Sequence, residues 1–239
     1  MFKRIKRYWF QLMHPVIGEV WQLHRVTDDH SKQDILRAYE ISPNRLASLI
    51  VEYKQKGYEF VSIAETAKRM GEKRRVNKFI TITLDDGYAD NYEIAYPIFK
   101  KYNVPFCIYV CEKMVTGESS EDNIEHYRML TVEQLQILDK EPLCTIGSHS
   151  RSHVRLACLS KEMQLQEILH CKIWLESLLG HQIEDYSFPY GNYSAVTISL
   201  LSEIGVTRAV ASWGGGVRRN TQECMYNIPR KLVTETDIQ

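Results

Sequence analysis

The sequence predicts a single α/β domain in which a largely parallel sheet is surrounded by helices. Short apolar, β-branched runs alternate with segments of helical periodicity along most of the chain. No repeat, low-complexity tract or Gly/Ser linker interrupts this alternation. The 239 residues suffice for one large domain and leave little room for a second. The pattern fits either a barrel of about seven or eight strands or a doubly wound sheet.

Seven strands are predicted, each bounded by turn residues or by the start of a helix. They cover residues 19–24, 59–61, 79–84, 106–110, 143–146, 186–188 and 207–211. The run 79–84 is the clearest, because its β-branched and aliphatic residues are typical of a strand buried on both faces.

Capping signals place the helices. A Ser-Pro pair at Ser42 opens the first helix, and Ser62 and Thr131 each begin a capping box. The remaining predicted helices cover about residues 91–102, 160–179 and 195–204. Residues 112–128 form the one long polar loop, and such loops often line functional sites.

Composition excludes some classes of function. The 30 basic and 30 acidic residues balance, so no nucleic-acid partner is expected. The six cysteines are dispersed without a CxxC pair. An even count is compatible with three disulfides in a secreted protein, but the dispersal favours a reducing compartment. We therefore expect the protein in the cytoplasm or at the inner face of the membrane.

The first 18 residues are interpreted as a basic, aromatic leader, and residues 19–239 as the catalytic domain. The apolar stretch of the leader is interrupted by Gln11, His14 and Pro15, which argues against a signal peptide or a membrane span. Two interpretations of its aromatic residues remain. They contact anionic lipid weakly, or they pack on the domain. Membrane contact is therefore expected to be peripheral at most.

Two pairs of residues carry the chemistry. Asp85 and Asp86 end an apolar strand before Gly87, and His149 and His153 follow another strand, four residues apart. Asp-Asp-Gly alone is a common turn, and a histidine pair alone is weak evidence for a metal site. Together, one carboxylate and two imidazoles form an open three-ligand site for a hydrolytic metal, and the second carboxylate is left as a base.

These residues resemble motifs of the polysaccharide deacetylases, carbohydrate esterase family 4, whose catalytic unit is the NodB-homology domain. Thr83–Gly87 resembles the first motif, with Leu84 where phenylalanine is usual. The segment 149–153 is similar to the second motif, His-Ser/Thr-x-x-His. Residues 187–191 resemble the third, Arg-x-Pro-Tyr/Phe, without its arginine. The resemblance covers about residues 19–235 and implies a distorted (β/α)7-type barrel.

The resemblance also implies roles for individual residues. Asp85 becomes the general base, and the backbone N–H of Tyr190 helps to hold the oxyanion. The ligands of a divalent metal, most simply zinc, become Asp86, His149 and His153. Around them, Tyr88, Pro189, Tyr190 and Trp213 are candidates for contact with a sugar, although such aromatic rings also pack in cores.

Two departures from the family pattern concern proton transfer. Ser187 stands where the third-motif arginine orients the catalytic aspartate. Arg230 is the candidate replacement, and a surface arginine is the alternative. The C-terminal Leu-x-x-His is missing as well. Circularly permuted members, which deacetylate poly-N-acetylglucosamine, carry that histidine near the N-terminus, and Leu23–Val26 matches their motif. His24 is thus the predicted general acid, or else a histidine that ends a strand.

The predicted function is a metal-dependent removal of N-acetyl groups from an amino sugar of a bacterial surface glycan or its precursor. The expected substrate is an N-acetylated saccharide that is nucleotide- or lipid-linked. One alternative is a deformylase of a lipid-linked formamido sugar, since the chemistry is the same. Another is a catalytically silent glycan-binding barrel, which only the missing arginine favours.

Overall fold

The structure, a computed structural model, describes residues 15–29, 37–72, 76–118, 127–219 and 225–235. Most of the predicted leader, residues 1–14, lies outside the described residues. The first strand begins at Val16, three residues before the predicted position, and therefore includes the end of the predicted leader.

Within the described residues, seven parallel strands close into a barrel. They are β1 (Val16–Leu23), β5 (Phe79–Leu84), β6 (Phe106–Val110), β7 (Cys144–Ser148), β8 (Asp185–Ser187), β9 (Arg208–Gly214) and β11 (Ile228–Leu232). The barrel closes because β1 pairs in parallel with both β5 and β11. The prediction of a (β/α)7 barrel is confirmed, and the alternative of a doubly wound sheet is wrong. The strand that precedes His24 comes first in the chain and lies between β11 and β5, as the permuted order predicts.

The barrel contains seven strands, and the sequence also predicts seven strands. One of the predicted strands, however, is not part of the barrel. Residues 59–61 were expected to form a barrel strand, yet β4 (Glu59–Phe60) only pairs with the first residues of β5. The seventh barrel strand is β11, which the sequence did not predict because Pro229 interrupts the strand pattern. The short strands β2 (Arg25–Val26) and β3 (Glu40–Ile41) pair with each other, and β10 (Val217–Arg218) pairs antiparallel with β1.

Helices connect the strands on the outside of the barrel. They are α1 (Pro43–Gln55), α2 (Ile63–Gly71), α3 (Tyr96–Tyr102), α4 (Glu112–Thr116), α5 (Val132–Asp139), α6 (Lys161–Leu179) and α7 (Ala195–Glu203). The capping box at Thr131 is confirmed. The one predicted at Ser62 is incomplete, because the Glu65 side chain pairs with Arg69 instead of closing the box. The helix predicted from residue 91 begins with a π-helical turn, Asn91–Ala95.

The barrel strands bury their side chains almost completely. Every residue of β5 and β6 is buried, because the helices cover the outside and the opposite strands cover the inside. Parallel strands run in one direction, so their carboxyl ends meet at one rim of the barrel. Among the described residues, no helix is both long and apolar enough to cross a membrane.

Candidate active site

The predicted site residues gather at the carboxyl-terminal rim of the barrel. Asp85 and Asp86 follow β5, and His149 follows β7. His24 follows β1 at the same rim. The remaining members are Pro189 and Tyr190 after β8, Trp213 near the end of β9, and Arg230 within β11.

Asp86, His149 and His153 form a compact group. Nε2 of His149 lies 3.4 Å from Oδ1 of Asp86, and Nε2 of His153 lies 3.5 Å from the same oxygen. One ligand atom from each residue lies within 4.8 Å of the other two. Asp86 reaches this position through a left-handed backbone, with φ of 75°, which an aspartate tolerates better than most residues, and Gly87 completes the turn at φ of 87°.

The donor set fits a divalent cation. Nδ1 of His149 lies 2.9 Å from the Ser187 carbonyl oxygen, which can only accept, so the ring proton is on Nδ1 and the lone pair of Nε2 faces Asp86. Oδ1 of Asp86 is buried and has no hydrogen-bond partner among the described residues. Burial opposes ionisation of Asp86, but the two imidazoles, in their protonated form, hold the pKa of this carboxyl well below its usual range. A buried carboxylate oxygen faced by two imidazole nitrogens is typical of a metal site.

Asp85 lies beside this group and is held by Arg230. Arg230 donates from Nη1 to Oδ1 at 2.8 Å and from Nη2 to Oδ2 at 2.7 Å. Oδ2 also accepts from Nε2 of Gln22 at 2.9 Å and from the Ser187 hydroxyl at 3.3 Å. Burial would raise the pKa of Asp85, but the Arg230 charge and hydrogen bonds outweigh burial and lower it to about 2.

Arg230 is fully buried and its position is fixed by further bonds. Nε donates to the Ala211 carbonyl oxygen at 2.8 Å, and Nη2 donates to the Ser187 hydroxyl at 2.9 Å. Nη1 also donates to the Thr83 hydroxyl at 3.1 Å. Arg230 is thus not a surface arginine, and its guanidinium contacts both Asp85 and the residue that replaces the family's arginine.

His24 lies at the same rim, with its ring packed edge-on against Tyr39 at 4.7 Å between centroids. Its backbone carbonyl accepts from Nδ2 of Asn91 at 2.9 Å. Burial lowers the pKa of His24, whereas the charges of Asp86 and Asp85 act in the opposite direction. These interactions place His24 within the electrostatic field of both aspartates.

The aromatic candidates differ in exposure. Tyr190 and Trp213 are 45% and 55% exposed, and the Tyr190 ring packs on His153 with centroids 4.5 Å apart. Trp213 lies so close to Gly191 that a Cβ there would sit 2.2 Å from the indole ring. Tyr88 is only 7% exposed, because its ring packs edge-on against Tyr127 and lies under the Arg25 guanidinium.

Pro189 is buried and starts the turn that carries Tyr190, whose φ is 56°. Sequence reasoning missed Gln22 as a site residue. The one signal in the sequence was a polar side chain within an apolar strand. In the structure this side chain is buried and donates to Asp85.

A closed seven-stranded parallel barrel, with its polar residues at the carboxyl-terminal rim, defines a NodB-type (β/α)7 barrel protein. Residues 72–209, more than half of the chain, match the model of the polysaccharide deacetylase family. The chain belongs to this family. The matched range begins after β1, so His24 lies outside it.

Relatives and solved structures agree with this assignment. The chain is 28% identical to the Bacillus subtilis protein YxkH over 179 residues, which are 74% of this chain and 60% of YxkH. It therefore spans about three fifths of that relative's length. It is 21% identical to the poly-beta-1,6-N-acetyl-D-glucosamine N-deacetylase of Staphylococcus aureus, over 84% of this chain and 70% of the enzyme. IcaB from Ammonifex degensii shares the fold, with a TM-score of 0.78, 23% identity and 92% of both chains covered.

Proposed function

We propose that this protein is a metal-dependent N-deacetylase that removes acetyl groups from an amino sugar of a bacterial surface glycan or its precursor. The observation that carries the proposal is the division of the Asp85–Asp86 pair. Asp86 faces His149 and His153, whereas Asp85 faces Arg230. Hydrolysis of an amide needs both an electrophilic centre and a separate base, and this division supplies both.

Asp86, His149 and His153 would hold the divalent cation, for which zinc is our proposal because nitrogen and carboxylate ligands suit it. When bound, such a cation polarises the acyl carbonyl and acidifies the attacking water. With three protein ligands, such a site would leave room for water and substrate.

Asp85 accepts the proton of the attacking water in this proposal. Its pKa of about 2 keeps the carboxyl ionised at neutral pH. Oδ2 accepts hydrogen bonds from Arg230, Gln22 and Ser187, whereas Oδ1 accepts one, from Arg230. Because a carboxylate oxygen has two lone pairs, Oδ1 keeps one for the proton. Arg230 fixes the direction in which that lone pair points.

His24 delivers a proton to the leaving amine. It follows β1, the strand beside β5, so the group that gives a proton and the group that takes one lie on neighbouring strands. Burial lowers the pKa of His24 despite the opposing charges of Asp86 and Asp85, so its imidazolium would give up a proton readily. The permuted family members support this role, because they carry the corresponding histidine on their N-terminal strand.

The acyl oxygen and the sugar contact the turn after β8 in this proposal. The backbone N–H of Tyr190 stabilises the oxyanion, and Pro189 fixes the start of that turn. The exposed rings of Tyr190 and Trp213 offer apolar faces to a sugar. Tyr88 is too buried to offer a ring face, so its part in sugar contact would be small.

An N-acetylated saccharide substrate is supported by the staphylococcal relative, which is named for its action on poly-beta-1,6-N-acetyl-D-glucosamine. We extend this to a nucleotide- or lipid-linked saccharide in the cytoplasm or at the inner face of the membrane. The support for a reducing compartment is the dispersed cysteines, since none of the five in the described ranges forms a disulfide.

The test is release of acetate or formate from a panel of N-acylated sugars, with and without a zinc chelator. The panel contains β-1,6-linked N-acetylglucosamine oligomers, nucleotide-linked N-acetyl sugars, and lipid-linked N-acetyl and N-formyl sugars. Chelator-sensitive acetate release supports the proposal. Release of formate alone would identify the protein as a deformylase. If zinc-loaded protein releases neither acid, the protein is a catalytically silent glycan-binding barrel.

A further inference from the structure

The segment from His149 to His153, here called the ligand loop, carries both imidazoles of the candidate metal group. Two of its residues have left-handed backbones, Ser150 with φ of 64° and His153 with φ of 54°. Residues with a Cβ adopt this conformation rarely and at an energetic cost, so surrounding contacts must hold it.

Backbone contacts secure one side of the ligand loop. His149 N donates to the Val110 carbonyl oxygen at 2.8 Å, and Lys113 N donates to the Arg151 carbonyl oxygen at 2.9 Å. These bonds come from the end of β6 and the start of α4. With Glu112 N, which donates to the Ser150 carbonyl oxygen at 3.3 Å, they hold the first three residues of the loop. His153 N donates to the Ser150 hydroxyl at 3.0 Å within the loop, and Ser152 is left to a partner outside it.

Glu167 of α6 holds the other side. Its Oε2 accepts from Ser152 N at 2.8 Å, and its Oε1 accepts from the Ser152 hydroxyl at 2.7 Å. Its backbone carbonyl accepts from Arg151 N at 2.9 Å. Both carboxylate oxygens are therefore used on the residue immediately before His153.

We propose that Glu167 is a positioning residue for the metal group, which holds Ser152 so that His153 faces Asp86. The inference rests on the proposed metal site. Glu167 is not one of the three residues whose ligand atoms converge, and it acts on them through the backbone of the ligand loop. Partners that orient metal ligands contribute to affinity because the ligands are then already in place when the metal arrives.

Glu176 provides a matched control on the same helix. It too is a half-buried glutamate that accepts from a loop backbone, at 2.9 Å from Ile183 N. Nine residues separate it from Glu167, so it lies about 13 Å further along the helix, and its loop carries no residue of the metal group. Loss of either glutamate frees one loop, but only the loss of Glu167 frees the ligand loop.

The experiment titrates zinc into metal-free wild type, Glu167→Ala, Glu167→Gln and Glu176→Ala against a competing chelator, with thermal unfolding of each metal-free protein. We expect Glu167→Ala to bind zinc about 10–100-fold more weakly. Glu167→Gln should recover most of the affinity, because its carbonyl accepts from Ser152 N and its amide donates to the hydroxyl. Glu176→Ala should lower the melting temperature and keep the wild-type affinity.

Unchanged zinc affinity in Glu167→Ala would overturn the proposal, and so would an equal loss in Glu176→Ala. If Glu167→Ala does not fold, Ser152→Ala carries the test, with an expected loss of about threefold or more from its one deleted hydrogen bond. Wild-type affinity in that variant would also overturn it. If zinc affinity depends on Glu167 but the wild type releases no acid, only the proposed function is refuted. A wild type that binds no zinc would refute this inference.

Discussion

Arg230 and Asp85 are joined by two hydrogen bonds, Nη1 to Oδ1 at 2.8 Å and Nη2 to Oδ2 at 2.7 Å, although 145 positions separate them in the sequence. The family's third motif places an arginine on the strand that here ends in Ser187. In this chain the guanidinium comes from β11 and still donates to the Ser187 hydroxyl. The arginine has changed strand, and its charge faces the carboxylate that we propose as the base.

Arg230→Lys should lower kcat on the order of 100-fold while zinc content stays unchanged. A lysine keeps the charge but cannot donate two bonds in a fixed fork, so the Asp85 carboxylate would lose its orientation. Steady-state hydrolysis and metal analysis of the purified variant measure both quantities.

Arg208→Lys is the matched control for that variant. Arg208 also holds a buried aspartate with two bonds, Nε to Asp185 Oδ1 at 2.7 Å and Nη2 to Oδ2 at 2.8 Å, but at the amino-terminal ends of β8 and β9. The Arg208→Lys variant should be less stable than the wild type and keep the wild-type kcat. An equal loss of kcat in both variants would show that Arg230 acts through stability alone.

The two neighbouring aspartates should respond differently to substitution. Asp86→Ala should abolish zinc binding, because it deletes the carboxylate that both imidazoles face. Asp85→Asn should keep zinc and lose at least ~100-fold in rate, the usual size of a general-base contribution. Stoichiometric zinc in Asp86→Ala, or near wild-type turnover by Asp85→Asn, would contradict this division. His181→Ala, which removes a histidine paired with Asp139, serves as the control for zinc content.

His24→Ala should be slow chiefly on substrates with poor leaving groups. An amide nitrogen must be protonated as it leaves, whereas an activated ester departs without help. The measurement compares kcat/KM of the variant and wild type on an N-acetyl sugar and on an aryl acetate. If kcat/KM of the variant falls equally on both substrates, or on neither, His24 is not the acid.

Asp90 should make the protein less stable as the pH rises from 4 to 6. Burial raises its pKa to about 6, although Arg25 donates to it at 3.0 Å. The unfolded chain has the ordinary aspartate pKa near 4, so between these values the folded state binds more protons and ionisation costs up to ~3 kcal/mol. The free energy of unfolding should therefore fall through this range.

Asp90→Asn should remove this part of the pH dependence. Urea unfolding of both proteins at several pH values between 4 and 7 measures it, and the difference between them isolates Asp90 from His24, whose lowered pKa acts in the opposite direction. Parallel stability curves for the two proteins would show that Asp90 is ionised normally.

Prediction from the sequence was most successful where the signal was local. The strand 79–84 and the capping box at Thr131 were found because the residues that define them are neighbours in the chain. It failed at β11, because Pro229 hides a strand whose pairing partners lie far away in sequence. It also assigned residues 59–61 to the barrel, where they do not belong, since a short apolar run does not show which strand it will pair with.

By itself the sequence determined the parallel α/β architecture and the two motifs that contain Asp85, Asp86, His149 and His153, because periodicity and short spacings are written in consecutive residues. Only the tertiary structure decided which side chains complete the site. Gln22, Ser187 and Arg230 come from three different strands and meet at Asp85 only because the barrel closes. Closure depends on long-range pairing of β1 with β5 and β11, and no local pattern encodes that pairing.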